Sequence, residues 1–361
     1  MAQGTNESEA AGQVVTEADV SGAAGNGQVP LLSVTDLHVE FRMYDHTVHA
    51  NSGVFYHVNP GEAVAILGES GSGKSVSAQA VMGLIDSPPG HITSGEVRFN
   101  GTDLLTLPEE QRRKMRGNNI AMIFQDALSA LNPVMTVGDQ IGEMFRVHRG
   151  LSKAEARTKA IELMERVRIP AARSRVADYP HQFSGGMRQR VMVAMALALE
   201  PDVLIADEPT TALDVTVQAQ IMKLLADLQR ETNMGLILIT HDLGVVADVA
   251  DRIVVMYAGK IVETAEVYDL YGAPAHPYTE GLLRSIPRLD QKGEKLTPIS
   301  GTPPNLAAVP PGCAFHPRCP RARDICSEQE PELFEVGASR RSACHFWEEV
   351  VADHTGEGGG R

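Results

Sequence analysis

Short apolar runs punctuate this chain, and each ends at a polar or glycine-rich segment: Ala63 to Leu67, Ile120 to Phe124, Val203 to Ala206, and Leu236 to Ile239. Runs this short, closed by such residues, predict buried strands of a parallel core. Elsewhere the period lengthens. Residues 137–148 and 152–168 carry apolar positions at helical spacing, with Ser152 and Glu155 forming a capping box. An apolar helix ends at Leu199, Val215 to Arg230 reads as an amphipathic helix, and Ser75 to Ile85 as another. Near the start, Leu32 to Phe41 alternates imperfectly and Val54 to Val58 is strand-like. Pro60-Gly61 makes a turn, and Gly95 to Gly101 closes a strand with Asn-Gly. The pattern predicts an α/β fold with a small antiparallel layer beside the parallel core and a helical insertion at about 127–200.

Composition narrows the function classes. An apolar fraction of 43% over 361 residues suits a globular chain with a sizeable core. The net charge of −14 argues against a protein whose main task is gripping nucleic acid backbone. Val191 to Leu199 is the longest apolar run, far short of the ~18 residues of a membrane span. Residues 1–30 hold no Lys or Arg and no apolar segment, so they read as a disordered tail and not a signal peptide. A flexible tail is expected again at 348–361, and a cytoplasmic location follows.

Candidate chemistry gathers where the apolar runs end. Gly68, Glu69, Ser70, Gly71, Ser72, Gly73, Lys74 and Ser75 fit G-x-x-x-x-G-K-[ST], between a strand and a helix that continues through Val76. Main-chain N–H groups of such a loop turn inward around phosphate oxygens, at the positive end of a helix dipole. Lys74 then reaches the β- and γ-phosphates of a bound nucleotide, and the Ser75 hydroxyl ligates Mg²⁺. Gln125, after the strand at 120–124, is placed to reach the metal or an attacking water, although a polar residue after a strand is commonplace. Ser184 caps the helix to Leu199, with Gly185 and Gly186 leaving its first N–H groups open to an anion. Asp207 ends a strand as a magnesium-holding carboxylate does, and Glu208 is placed to polarise water. Asp214 follows in the next loop, and His241 ends the strand at 236–240 as a γ-phosphate contact. Phe41, with Tyr44 next in order, is the aromatic chosen to stack on the base; a core phenylalanine reads equally well there.

In this order, these motifs resemble the nucleotide-binding subunit of an ABC transporter over roughly residues 31–270. Phe183 and Met187 depart from the commonest signature but leave its anion-binding elements intact. The resemblance implies two such subunits, identical or paralogous, meeting head to tail. Each ATP then lies between one phosphate loop and the other subunit's Ser184-Gly185-Gly186, with Glu208 as catalytic base and Asp214 in a loop crossing the interface. His276-Pro277-Tyr278-Thr279 and the segment Gly312 to Pro320 are similar to the extension, about 271–347, of dipeptide and oligopeptide importers. That implies two transmembrane permease subunits, an external peptide-binding protein, no nucleic acid, and a peripheral position on the cytoplasmic membrane face. Close relatives that import nickel or another small solute, and soluble ABC ATPases of DNA repair or translation, are the alternatives.

Cys313, Cys319, Cys326 and Cys344 are the chain's four cysteines, spaced C-x5-C-x6-C-x17-C. Four thiolates suit a [4Fe–4S] cluster or tetrahedral zinc, and the lack of C-x2-C counts against common zinc layouts. The resemblance favours the cluster; buried free thiols stay open.

Overall fold

The computed structural model describes residues 29–211, 213–285 and 298–355, Leu128 by its backbone only. The expected N-terminal tail therefore lies outside the described residues up to position 28. The first strands are β1 (Leu32–Arg42), β2 (Thr47–Val58), β3 (Ala63–Leu67), β4 (Gly90–Phe99), β5 (Thr102–Asp103) and β6 (Ile120–Ile123). They are followed by β7 (Val203–Asp207), β8 (Gly235–Thr240), β9 (Arg252–Tyr257), β10 (Lys260–Glu266), β11 (Phe334–Gly337) and β12 (Arg340–Ser342).

Two sheets result. One is antiparallel, in the order β2-β1-β4-β5; the other has eight strands, in the order β11-β12-β10-β9-β3-β8-β7-β6. From β9 to β6 the large sheet is parallel. The imperfect alternation of β1 has a structural cause: its pairing with β2 shifts register between Val34 and Leu37 and again on either side of Val39. Each shift displaces the period-two pattern and hides it from the sequence.

Alternation in the parallel strands divides the interior. Ala63, Ala65 and Leu67, with Leu236 and Leu238, join a core shared with the helices Val137–Arg149, Lys153–Arg166 and Gly185–Leu197. Val64 and Ile66, with Ile237 and Ile239, face the antiparallel sheet and the helix Lys74–Met82. A strand covered on both faces must be apolar throughout, which is why these segments read as continuous runs. The helix at 153 begins with the expected capping box from Ser152 and Glu155.

The C-terminal region is built into the large sheet, because β12 pairs with β10. Glu263 of β10, fully buried, accepts from the Ala275 N–H at 2.8 Å and the His276 N–H at 3.0 Å, and from Arg340 at 3.2 Å. Burial pushes its carboxyl pKa up, and the donors from Thr279, Ala275 and Arg340 oppose that shift. Glu263→Gln removes the charge opposite Arg340, and unfolding in urea is expected to show a loss of about 1–3 kcal/mol.

The tail expected from 348 is corrected. Trp347–Thr355 is a helix whose Val350 is fully buried. Arg321 bonds Asp353 at 2.6 Å, and His354 stands 3.3 Å from the buried Glu280. A nine-residue helix with one buried apolar residue leaves almost no periodic signal.

Candidate functional site at the carboxyl edge of the parallel sheet

Strand order reverses at β3, which has β8 on one side and β9 on the other, and ligands of open α/β sheets bind at such a point. The segment after β3 is the predicted phosphate loop. Gly73 has φ 98°, and a Cβ there would fall 2.3 Å from the Ala50 carbonyl oxygen, so only glycine fits. The same applies at Gly68, where a Cβ would meet the Met256 carbonyl oxygen at 2.3 Å. Ser70 and Gly71 form the exposed crest, while Ser72, Gly73 and Lys74 are buried. Val76 continues the helix and packs on the core of the antiparallel layer.

Lys74 is 4% exposed and curls over the loop, donating to the carbonyls of Gly68 at 2.8 Å and Glu69 at 3.0 Å. Burial lowers its pKa, opposed by the charges of Glu208, Asp207 and Glu69. The Ser75 hydroxyl donates to Asp207 at 2.9 Å, joining residues 132 apart in sequence. Asp207 is 4% exposed, and burial raises its pKa. A buried carboxylate beside a hydroxyl, at the mouth of a phosphate loop, has the oxygen donors that Mg²⁺ prefers.

Glu208 stands beside this pair with φ 45°, a left-handed conformation that costs a non-glycine residue on the order of 1 kcal/mol or more. Its backbone N–H donates to the Ile239 carbonyl at 2.8 Å, which holds the turn in place. Oε2 accepts from Gln125 at 2.8 Å and from the Thr211 hydroxyl at 2.9 Å. Oε1 faces the half-exposed His241 ring, whose Nδ1 is 3.4 Å away. One oxygen is thus fixed by two donors, and the other is turned toward the mouth of the site.

Not every predicted residue joins this group. Ser184 caps the helix Gly185–Leu197 through the Met187 N–H, within the helical layer. A Cβ at Gly186 would fall 2.4 Å from Val217, so this helix packs tightly against Val215–Thr232. Asp214 caps that second helix, accepting from the Val217 N–H at 3.0 Å. Phe41 is partly buried on the core of the antiparallel layer, and its ring lies 3.1 Å from where a Gly90 Cβ would stand. Tyr44 is fully exposed.

Sequence reasoning missed several contributors. Buried Asn51 donates to the Gly73 carbonyl at 3.1 Å, Thr211 anchors Glu208, and Tyr278 and Arg318 reach Glu69 from the C-terminal region. Asn51, Tyr278 and Arg318 carry no local signal, being far in sequence from the loop they support, while Thr211 lies only three residues after Glu208 and its role was legible only from the turn between them.

The cysteines line one small cavity together with His276, Phe315, His316 and Phe346. Burial pushes the Cys313 thiol up to about 11 and the Cys344 thiol up to about 12. Among the described residues, no three His, Cys, Asp or Glu side chains are placed to hold a metal ion.

Residues 52–211 match the ABC transporter family, and residues 262–326 match the oligopeptide/dipeptide transporter C-terminal region. The chain is 52% identical over 315 residues to the dipeptide transport ATP-binding protein DppD of Bacillus subtilis, covering 87% of this chain and 92% of that protein. It belongs to the ATP-binding subunits of peptide ABC transporters. A second member of this family, the oligopeptide transport ATP-binding protein OppD of Salmonella typhimurium, is 51% identical over 311 residues, covering 86% of this chain and 92% of the relative. Among solved structures, a dimeric ATP-binding cassette in a post-hydrolysis state, bound to ADP and Pi, matches with a TM-score of 0.59 and 29% identity. That match covers 65% of this chain and 98% of the solved one. As a family member the chain is an ATPase, with the α/β phosphate-loop fold and antiparallel layer that its class requires. No helix among the described residues is long and apolar enough to cross a membrane.

Proposed function

We propose that this subunit hydrolyses ATP to drive uptake of dipeptides or oligopeptides through separate membrane subunits. The observation that carries the catalytic part is the carboxylate of Glu208, fixed through one oxygen beside the Ser75–Asp207 pair. Glu208 takes the proton of a water attacking the γ-phosphate in line, and Gln125, Thr211 and His241 hold and flank it. Ser75 and Asp207 are the residues that would hold Mg²⁺, which when bound offsets charge on the phosphate oxygens. Lys74 turns from the loop carbonyls to the phosphates when nucleotide enters.

The position of Ser184, Gly185 and Gly186 away from the phosphate loop supports a shared site, completed by a second subunit that is a copy or a paralogue. The likeness to a solved cassette dimer supports the same arrangement. Two transmembrane permeases and an external peptide-binding protein complete the transporter, with this chain on the cytoplasmic membrane face. The match of residues 262–326 to the peptide-transporter region favours peptides over nickel or another small solute.

A [4Fe–4S] cluster held by Cys313, Cys319, Cys326 and Cys344 is part of this reading. What supports it is that the four cysteines line one cavity, together with the family resemblance. When bound, the cluster would staple a segment poor in apolar residues. Anaerobically purified protein is expected to contain iron and sulfide in about fourfold excess over chain; zinc, or neither, overturns the assignment.

Transport is tested by reconstituting the subunit with its co-purifying membrane proteins in vesicles. Peptides delivered with the external binding protein are expected to stimulate ATP hydrolysis and to accumulate inside. Stimulation by nickel alone, or co-purification with nucleic acid in place of membrane subunits, overturns the peptide reading.

A further inference from the structure

Glu69 is a carboxylate inside a loop that receives a triphosphate. Left charged, it repels the ligand; it also lies close enough to Lys74 to stabilise that ammonium. The structure supplies its counter-charge from the far end of the chain. Arg318, only 5% exposed, grips Glu69 through both guanidinium arms, at 2.6 Å to Oε2 and 3.0 Å to Oε1. Such a two-armed contact is directional as well as attractive, so it holds the carboxylate in one orientation.

Arg318 is itself held from several sides. It donates to the Ser300 carbonyl at 2.9 Å and to the Tyr257 hydroxyl at 3.2 Å. Its guanidinium carbon lies 5.8 Å from the centroid of Tyr257 and 5.9 Å from that of Phe315. Both rings pack against Tyr278, with centroids 4.6 Å and 5.3 Å from it. The Tyr278 hydroxyl in turn accepts the Glu69 backbone N–H at 2.8 Å. Side chain and main chain of one loop residue are therefore both anchored to the C-terminal region.

We propose that Arg318 and Tyr278 are positioning residues of the ATP site: Arg318 neutralises Glu69 and turns its carboxylate from the phosphates, and Tyr278 pins the loop's first turn. This rests on the nucleotide-site reading above and extends it to the C-terminal region. The consequence is an effect on binding with little effect on the chemical step, because neither residue reaches Glu208 or the γ-phosphate.

The test is MgATP affinity by calorimetry in the Glu208→Gln background, with KM and kcat measured in the parent subunit assembled with its transporter. Arg318→Ala is expected to raise Kd and KM by on the order of tenfold, the scale of one uncompensated charge at partial burial, with kcat at saturation within about twofold. Arg318→Lys is expected to restore part of the affinity. Glu69→Gln added to Arg318→Ala is expected to restore most of it, since the repelling charge is then gone; a purely structural Arg318 would show no such rescue. Tyr278→Phe removes only a hydroxyl and is expected to speed hydrogen exchange at the Glu69 amide and raise Kd about threefold. If Arg318→Ala fails to fold, Arg318→Lys and Tyr278→Phe carry the test. Unchanged Kd in the folded variants, or no rescue by Glu69→Gln, overturns this inference alone. Absence of MgATP binding by the parent overturns the nucleotide site itself.

Discussion

Glu208→Gln is expected to lower kcat for ATP hydrolysis by about 10²–10⁴-fold, the usual worth of a general base, while MgATP affinity stays within a few fold. The reason lies in how the carboxylate is held. Gln125 and Thr211 both donate to Oε2, and a glutamine carbonyl oxygen can accept the same two bonds. Geometry therefore survives, and what is lost is the basic oxygen that faces His241. Binding depends on Lys74, Ser75 and Asp207, which the substitution leaves in place. The subunit pair should then close on ATP and stay closed, as a stable nucleotide-bound complex on gel filtration. Single-turnover and steady-state hydrolysis check the rate, and turnover near that of the parent would remove Glu208 from the catalytic role.

Lys74→Ala acts on the other half of the site, raising Kd for MgATP by on the order of 100-fold or more through the loss of charge-assisted contacts to phosphate. Lys74 is 4% exposed, and its ammonium is kept inside the loop by the Gly68 and Glu69 carbonyls. Nucleotide binding exchanges those carbonyl bonds for charge-assisted contacts to phosphate. Arginine is not expected to substitute, since a planar fork does not fit a niche shaped for a compact ammonium. Calorimetry with ATP in the Glu208→Gln background measures the change without hydrolysis. An unchanged Kd would overturn the phosphate-loop assignment.

Much of this site was legible in the sequence because its elements are contiguous. Gly68 to Ser75 supply neighbouring backbone N–H groups, and the strand before and helix after them are local too. Asp207 and Glu208 end an apolar run, so their place at a strand edge followed from position alone. Their partners did not. Gln125 and Glu208 are 83 residues apart, and only the alignment of β6 beside β7 brings them to 2.8 Å. The left-handed turn at Glu208 is also a tertiary result, since a glutamate has no local preference for it.

The C-terminal region was the least legible. β11, β12 and the helix Trp347–Thr355 are short and only partly apolar, and their stability comes from docking, as the pairing of β12 with β10 and the burial of Val350 show. Cysteine spacing left cluster, zinc and free thiols open, because ligand geometry depends on how the chain folds around the cavity.

By itself the sequence determined a buried parallel sheet, a glycine-rich loop between strand and helix, strand-end carboxylates and a Ser184-capped helix. These are short-range patterns, in which adjacent residues share one strand, turn or helix. Tertiary structure alone decided which oxygen of Glu208 is held by Gln125 and Thr211 and which faces His241, that Glu263 ties the last strands to the sheet, and that Arg318 meets Glu69 across 249 residues. Such contacts follow from the packing of distant segments, and no local pattern of residues encodes them.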